Sequence, residues 1–366
     1  MFAFSFGGVD FNVYYAAAKV TSQGGNPYDF QQLAPQIVLI SGKINNPYYY
    51  APWFTWMILP FSLFSYPVAR ILWLIFHFIL WLCALHNLTK VINYPQNDWR
   101  KWMIWLFVTF VFAWSTWGSE QVGILVFFLF TLILFFYQKE NWLMMGICLS
   151  LILFKPNLTA LPVGAILIWL VFQRKQWQPL FVMAGTVLLM IVISLFTTPF
   201  WYLAFLQRDK LQGLSYTLDS AGIMEIQRYT TTLLDWLKVY GISGNLATCI
   251  YVVFILFGIF ILIISLKHLK SLSEFIAVVI LINFALVPYT LFYDYSALVI
   301  TLFSGYALFA KLQKNTWLPY LVNIAILVSL LAGGGISCRY WITIILIIFL
   351  GCAYYIKSKT NNLTLI

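Results

Sequence analysis

Apolar runs long enough to cross a lipid bilayer constrain this chain more than any other feature. A helix advances about 1.5 Å per residue, so crossing ~30 Å of hydrocarbon takes roughly 20 apolar residues. Runs approaching that length fall at about 69–89, 102–118, 121–137, 141–154, 157–172, 178–199, 246–266, 274–291, 294–310, 317–333 and 340–356. Hydrophobic residues make up 62% of the 366 positions and charged residues 9%, which leaves too little polar surface for a soluble packing. The expected fold is all-α and polytopic, with about eleven transmembrane helices.

One further apolar run, about 51–66, is short and interrupted by Pro52 and Pro60, and it is expected to lie in the membrane interface as helix without crossing. Parity supports that choice. With residues 1–67 on one face, the loops carrying Lys90, Arg100 and Lys101, Lys139, Arg174 and Lys175, Lys267 and Lys270, Lys311 and Lys314, and the tail with Lys357 and Lys359 all fall on the other. Short loops rich in Lys and Arg mark the cytoplasmic side. The chain then divides into an external N-terminal segment (1–67), a transmembrane module (68–199), an external loop (200–245) and C-terminal transmembrane helices (246–366).

The net charge of +10 is spread singly or in pairs between apolar runs and forms no basic patch, so topology explains it and no nucleic-acid partner is expected. The five cysteines have no paired spacing. There is no Gly-rich phosphate loop, no metal-ligand spacing of carboxylates and no readable Ser/His/Asp arrangement, so neither metal nor cofactor is expected. The three histidines, His77, His86 and His268, read as packing or interface residues.

The polar segment 7–30, GGVDFNVYYAAAKVTSQGGNPYDF, precedes all the apolar spans. A carboxylate in a structured loop at a membrane face suits a transferase that takes its donor from the bilayer and its acceptor from water. Asp10 heads this segment, and it is equally suited to cap a helix begun by FNVYYAAAKV. Asp29, Glu120 and Asp294 also fall on the expected external face beside apolar or aromatic clusters, where burial without a partner costs several kcal/mol. Asp294 could equally be a span-end acid reaching water. Asp98, Glu140 and Glu274 sit in or beside cytoplasmic loops and read as structural. The loop 200–245, with Arg208, Asp209, Lys210, Asp219, Glu225, Arg228, Asp235 and Lys238, is charge-balanced and reads as a solvated loop.

Lys155 ends one apolar run and, with Pro156, begins the next, with no acid adjacent in sequence. It either snorkels to the interface or meets an anion, and a phosphate headgroup would suit it. Arg228 and Arg339 are further candidates for the same task.

The order Asp10-Phe11-x-Val13-Tyr14-x-Ala16-Ala17, then Gly25-Asn26-Pro27-Tyr28, then Tyr49-Tyr50-Ala51-Pro52 leading into an apolar run, resembles the N-terminal signature of glycosyltransferase family 87. Trp117-Gly118-Ser119-Glu120-Gln121 resembles its Gly-Gln turn, Phe154-Lys155-Pro156-Asn157 its Lys-Pro turn, and Pro288-Tyr289 through Tyr293-Asp294-Tyr295 a later external turn. The pattern departs at Ala51 in place of Pro, at Ser119 and Glu120 between Gly118 and Gln121, and at Asp294 in place of His. The family's first span ahead of the aspartate is also not seen before Asp10.

The resemblance implies a GT-C fold and a membrane enzyme that uses a polyprenyl-phosphate sugar, as the family's mycobacterial mannosyltransferases do. It implies Asp10 as catalytic general base and Lys155 and Arg228 as donor-phosphate ligands. Tyr14, Tyr15, Tyr49, Tyr50, Gln121 and Asp294 would contact the sugar or the acceptor. The partners would be the donor, a lipid or glycan acceptor and membrane lipids, with multi-pass placement in a cell membrane such as a bacterial inner membrane. A transporter or flippase of lipid-linked saccharides is the alternative, although acids and Lys155 gathered toward one face, without repeated halves, do not match the midplane sites of transporters.

Overall fold

The computed structural model describes residues 9–42, 47–92, 109–110, 112–198, 200–203, 232–311, 321–322, 324–326, 328 and 336–363. Arg228, the basic loop at Arg100 and Lys101, the first part of the expected span at 102–118 and most of that at 317–333 lie outside these residues. The described chain is helical, without a β-strand.

Three short elements precede the first long one. Helix α1 is Val9–Ser22, α2 is Phe30–Ser41 and α3 is Pro52–Ile58. Asp29 caps α2 by accepting from the Gln31 amide at 3.0 Å, and the chain leaves α2 at Gly42 with φ 68°, a left-handed turn that glycine adopts without strain. Helix α3 opens on Pro52, whose missing N–H is no loss in a first turn. Pro60 then closes the run into a 3₁₀ turn at Phe61–Leu63. The run 51–66 is therefore not a span. It differs from a single interfacial helix in being broken and partly covered: Trp53, Phe54, Thr55 and Ile58 of α3 are buried beneath α1.

The long helices follow as α4 (Tyr66–Val91), α5 (Gly123–Gln138), α6 (Trp142–Leu151), α7 (Pro156–Arg174) and α8 (Gln178–Thr197). After the short α9 (Leu233–Val239) come α10 (Gly244–His268), α11 (Leu272–Leu286), α12 (Leu298–Lys311) and α13 (Ile336–Leu363). Five apolar helices are long enough to cross a membrane: α4, α7, α8, α10, and α12 with the 3₁₀ turn ahead of it. Helices α5, α6 with its 3₁₀ extension, α11 and residues 340–355 of α13 are apolar but shorter. At about 1.5 Å per residue α5 is roughly 24 Å long. Eleven spans therefore remains a sequence expectation; the described helices carry five of spanning length.

Burial sorts these helices into two rings. Helices α11 and α12 form the centre: nearly every residue from Phe275 to Ala285 is buried, and α12 is buried along almost its whole length. Helices α8 and α10 are the converse, with Phe181, Phe196, Leu256 and Phe257 facing outward. Apolar side chains at that density on the outside suit a lipid environment, where exposure carries no hydrophobic penalty.

Where α12 crosses α13 the spacing is set by Gly305, because a β-carbon there would lie 2.4 Å from the Phe349 ring. Gly305→Ala should lower stability by about 1–3 kcal/mol through overpacking, and adding Phe349→Leu should recover part of the loss in thermal unfolding of the detergent-solubilised protein. Equal losses in the single and double variants would show that the ring does not limit the approach.

Candidate functional site

Polar side chains from five separate segments meet at one end of the helix bundle. Asp10 lies in the first turn of α1, inside the helix and not at its capping position. Tyr14 follows four residues later, which places it on the same face one turn on. Tyr50 precedes α3, Gln121 sits just before α5, Lys155 immediately before α7, and Asp294 in the 3₁₀ turn Phe292–Ala297 that leads into α12.

Gln121 is the hub. The Tyr14 and Tyr50 hydroxyls lie 2.7 Å apart, and they stand 2.9 and 3.0 Å from Gln121 Oε1. Lys155 Nζ donates to the same oxygen at 3.4 Å and to Asp294 Oδ1 at 2.5 Å. With its oxygen turned to these donors, the Gln121 amide nitrogen is left for the Asp10 carboxylate, which it hydrogen-bonds. The ammonium also lies over two aromatic faces, 5.8 Å from the Tyr50 ring centre and 5.5 Å from that of Tyr293. Asp294 is 1% exposed and its second oxygen accepts from the Leu291 amide at 3.2 Å and the Thr290 hydroxyl at 3.3 Å. Lys155 thus has a protein anion as partner, instead of reaching the interface alone.

Electrostatics separates the two acids. Desolvation pushes the Asp10 carboxyl up from its usual 3.8 to about 6; the Gln121 hydrogen bond and the Lys155 charge pull it back, and Asp294 and Glu120 add to the rise. Asp294 has the ammonium in direct contact; Asp10 has an amide and retains partial exposure. Asp294 is the ion-pair partner of Lys155, while burial raises the proton affinity of Asp10.

Two other expected residues stand apart. The Tyr15 hydroxyl donates to the Phe64 carbonyl at 2.7 Å, so the α1 face it occupies packs on the 3₁₀ segment and not on the cluster. Its neighbour Tyr14 occupies the cluster face because successive helical residues point about 100° apart. Tyr49 is 46% exposed, at the rim beside Tyr50. Arg228 lies outside the described residues, and so does the side chain of Arg339. Asp29 is engaged as the α2 cap and with the Gln32 amide at 2.8 Å.

The support around the cluster includes residues that had not been singled out. Arg70 of α4 forms a short ion pair with buried Glu120, and Trp73 donates its indole N–H to the Glu120 carbonyl at 3.0 Å. Glu120 adopts φ 55°, a left-handed conformation uncommon for a residue with a β-carbon, and these anchors hold it there. The turn positions Gln121. Across from it, Thr116 bonds the Tyr293 carbonyl and the Ser296 hydroxyl, while Gly123 lets α5 approach so closely that a β-carbon would sit 2.5 Å from that carbonyl. Arg70 could have been found in sequence as a lone cation at the start of an apolar run, matching the lone acid Glu120. By the same logic, Lys155 could have been paired with Asp294.

A sequence profile of glycosyltransferase family 87 matches residues 48–290, more than half of the chain. The chain belongs to glycosyltransferase family 87. No curated protein and no solved structure matches it. A family 87 chain with this many apolar helices is a membrane glycosyltransferase, which decides against the transporter alternative. The family match takes in Tyr50, Gln121 and Lys155 and stops short of Asp10 and Asp294 at either end.

Two outcomes follow from this geometry. Lys155→Met and Asp294→Asn should each cost on the order of 3–5 kcal/mol, as when one member of a buried ion pair is left alone, and the double variant should lose clearly less than their sum. Additive losses in a thermal-unfolding cycle would mean the two are not coupled. The raised Asp10 carboxyl has the opposite sign: burial favours its protonated form, so folding stability falls as pH rises from about 4 to about 6 and levels off above. Asp10→Asn removes that penalty, and its melting temperature relative to the unsubstituted protein should rise over the same interval; a flat difference would contradict the raised value.

Proposed function

We propose that this family 87 enzyme transfers a hexose, mannose in the first instance, from a polyprenyl-phosphate donor to a hydroxyl of a lipid or glycan acceptor. The reaction is placed on the extracytoplasmic face of a multi-pass protein in a cell membrane of bacterial type, with the GT-C arrangement of the family. The observation that carries the reading is the Asp10 carboxyl, raised by burial and held by the Gln121 amide, beside the buried Lys155 ammonium.

The chemistry is displacement at the anomeric carbon. Asp10, ionised, accepts the proton of the acceptor hydroxyl as its oxygen forms the new bond to C1. The bond from C1 to the phosphate oxygen breaks, and the electron pair leaves with polyprenyl phosphate. Lys155 faces the charge that develops on that phosphate. Asp294 fixes the ammonium in position and leaves one of its three N–H donors beyond the contacts to Asp294 and Gln121. Tyr14, Tyr50 and Gln121 orient Asp10 and offer hydroxyl and amide groups to the sugar. Tyr49 at the rim is placed for the acceptor, and Tyr15 serves packing. Arg228 remains a donor-phosphate candidate on sequence grounds alone.

The test uses the purified full chain in membranes with a panel of radiolabelled polyprenyl-phosphate sugars. Asp10→Asn should lower transfer at least about a hundredfold, since a positioned base contributes 10²–10⁴. In the unsubstituted enzyme transfer should fall as pH drops through about 6, where Asp10 becomes protonated. Transfer by Asp10→Asn within a few-fold of the unsubstituted enzyme would remove it as the base.

A further inference from the structure

The helices that begin at the Asp10 cluster end at a second polar concavity. Gln121 and Lys155 precede α5 and α7; Gln138 and Arg174 close them, roughly 24 and 28 Å away at 1.5 Å per residue. Between these ends lies a cleft of about 230 Å³, whose polar lining includes Arg174, Lys270, Ser271, Ser273, Glu274 and Ser304. None of these residues has a part in the proposed transfer.

Three independent features of the cleft favour an anion. Arg174 is held in place by donating from Nε to the Tyr137 hydroxyl at 2.7 Å, with its guanidinium 5.5 Å from the Tyr137 ring centre, which leaves the other guanidinium donors free of that bond. Neither Arg174 nor Lys270 is ion-paired with an acid among the described residues. Helix α11 starts here without a cap from the Ser271 side chain, so the partial positive charge of its N-terminal end adds to the cleft. Ser304 of α12 is 3% exposed, lines the cleft and has no hydrogen-bond partner for its hydroxyl. A buried hydroxyl left open in this way costs stability unless a ligand meets it.

Arg174 and Lys270 bring two positive charges to the cleft, which suits an anion of the phosphate class. The lining also includes the apolar Ile92, Leu134 and Leu308, so polar and greasy surfaces meet in one cleft as they do in an amphipath. We propose that this end of the bundle binds the phosphodiester headgroup of a phospholipid, with Arg174, Lys270, Ser304 and the α11 amides as ligands.

Native mass spectrometry of the delipidated full chain would measure binding of phosphatidylglycerol, with neutral diacylglycerol and inorganic phosphate as separate arms. Phosphatidylglycerol should bind at least about tenfold more weakly to Arg174→Gln and to Lys270→Gln. Lys270 is exposed, so its variant keeps the fold. Lys238→Gln in α9 should leave binding unchanged. Inorganic phosphate bound with the same dependence on Arg174 and Lys270 would support the phosphate site and assign it a free anion. Diacylglycerol binding as tightly as phosphatidylglycerol, or phosphatidylglycerol binding unaffected by both variants, would overturn the proposal.

Discussion

A lysine at 9% exposure in a membrane-embedded bundle needs an anion, and the contact between Lys155 and Asp294 organises the rest of this structure. The two residues are far apart in sequence; Lys155 stands at the start of α7 and Asp294 in the turn that leads into the buried α12. Bringing them together sets the ends of α7 and α12 level with one another. The pair is not isolated: Gln121, Tyr14 and Tyr50 connect it to α5, α1 and the segment before α3. A half-satisfied network of this kind would be worse than an apolar core, so its closure fixes the placement of the polar N-terminal segment against the bundle.

The same network gives the two carboxylates different surroundings. Asp294 receives a charge-assisted bond and two neutral donors. Asp10 receives an amide and feels the ammonium only at a distance, so burial dominates and its affinity for a proton rises. Were Lys155 to turn toward Asp10, the ammonium would favour the ionised form and make it a weaker base. Holding the cation on Asp294 therefore serves basicity at Asp10 as well as stability.

Apolar length and charge placement made the membrane class, the helical fold and most helix positions legible from sequence. Expected spans at 69–89, 157–172, 178–199 and 246–266 correspond to α4, α7, α8 and α10 within a few residues. Less legible was which helices lie inside: α10 and α11 are both strongly apolar, yet one faces outward and the other is buried. Composition cannot separate them, because lipid and protein interior are equally apolar solvents. Individual candidate residues stood out as lone charges and aromatics at run ends, while their pairing did not. Lys155 looked like a phosphate ligand because no acid lies near it in sequence; the acid that holds it comes from 139 positions later. Tyr14 and Tyr15 were indistinguishable as a pair, and the helical rotation of α1 divides them between site and packing.

The family match ends before Asp294 and begins after Asp10, yet both acids close on residues inside it. Gln121 and Lys155, within the match, would each be left with an unmet polar atom if the flanking segments were placed elsewhere: the amide nitrogen of Gln121 and the charge of Lys155. Desolvated groups with a defined direction act as a template for whatever docks on them, and here acids at those two points meet them. The flanking segments are therefore packed onto the matched region through these contacts, and the raised Asp10 carboxyl depends on that packing.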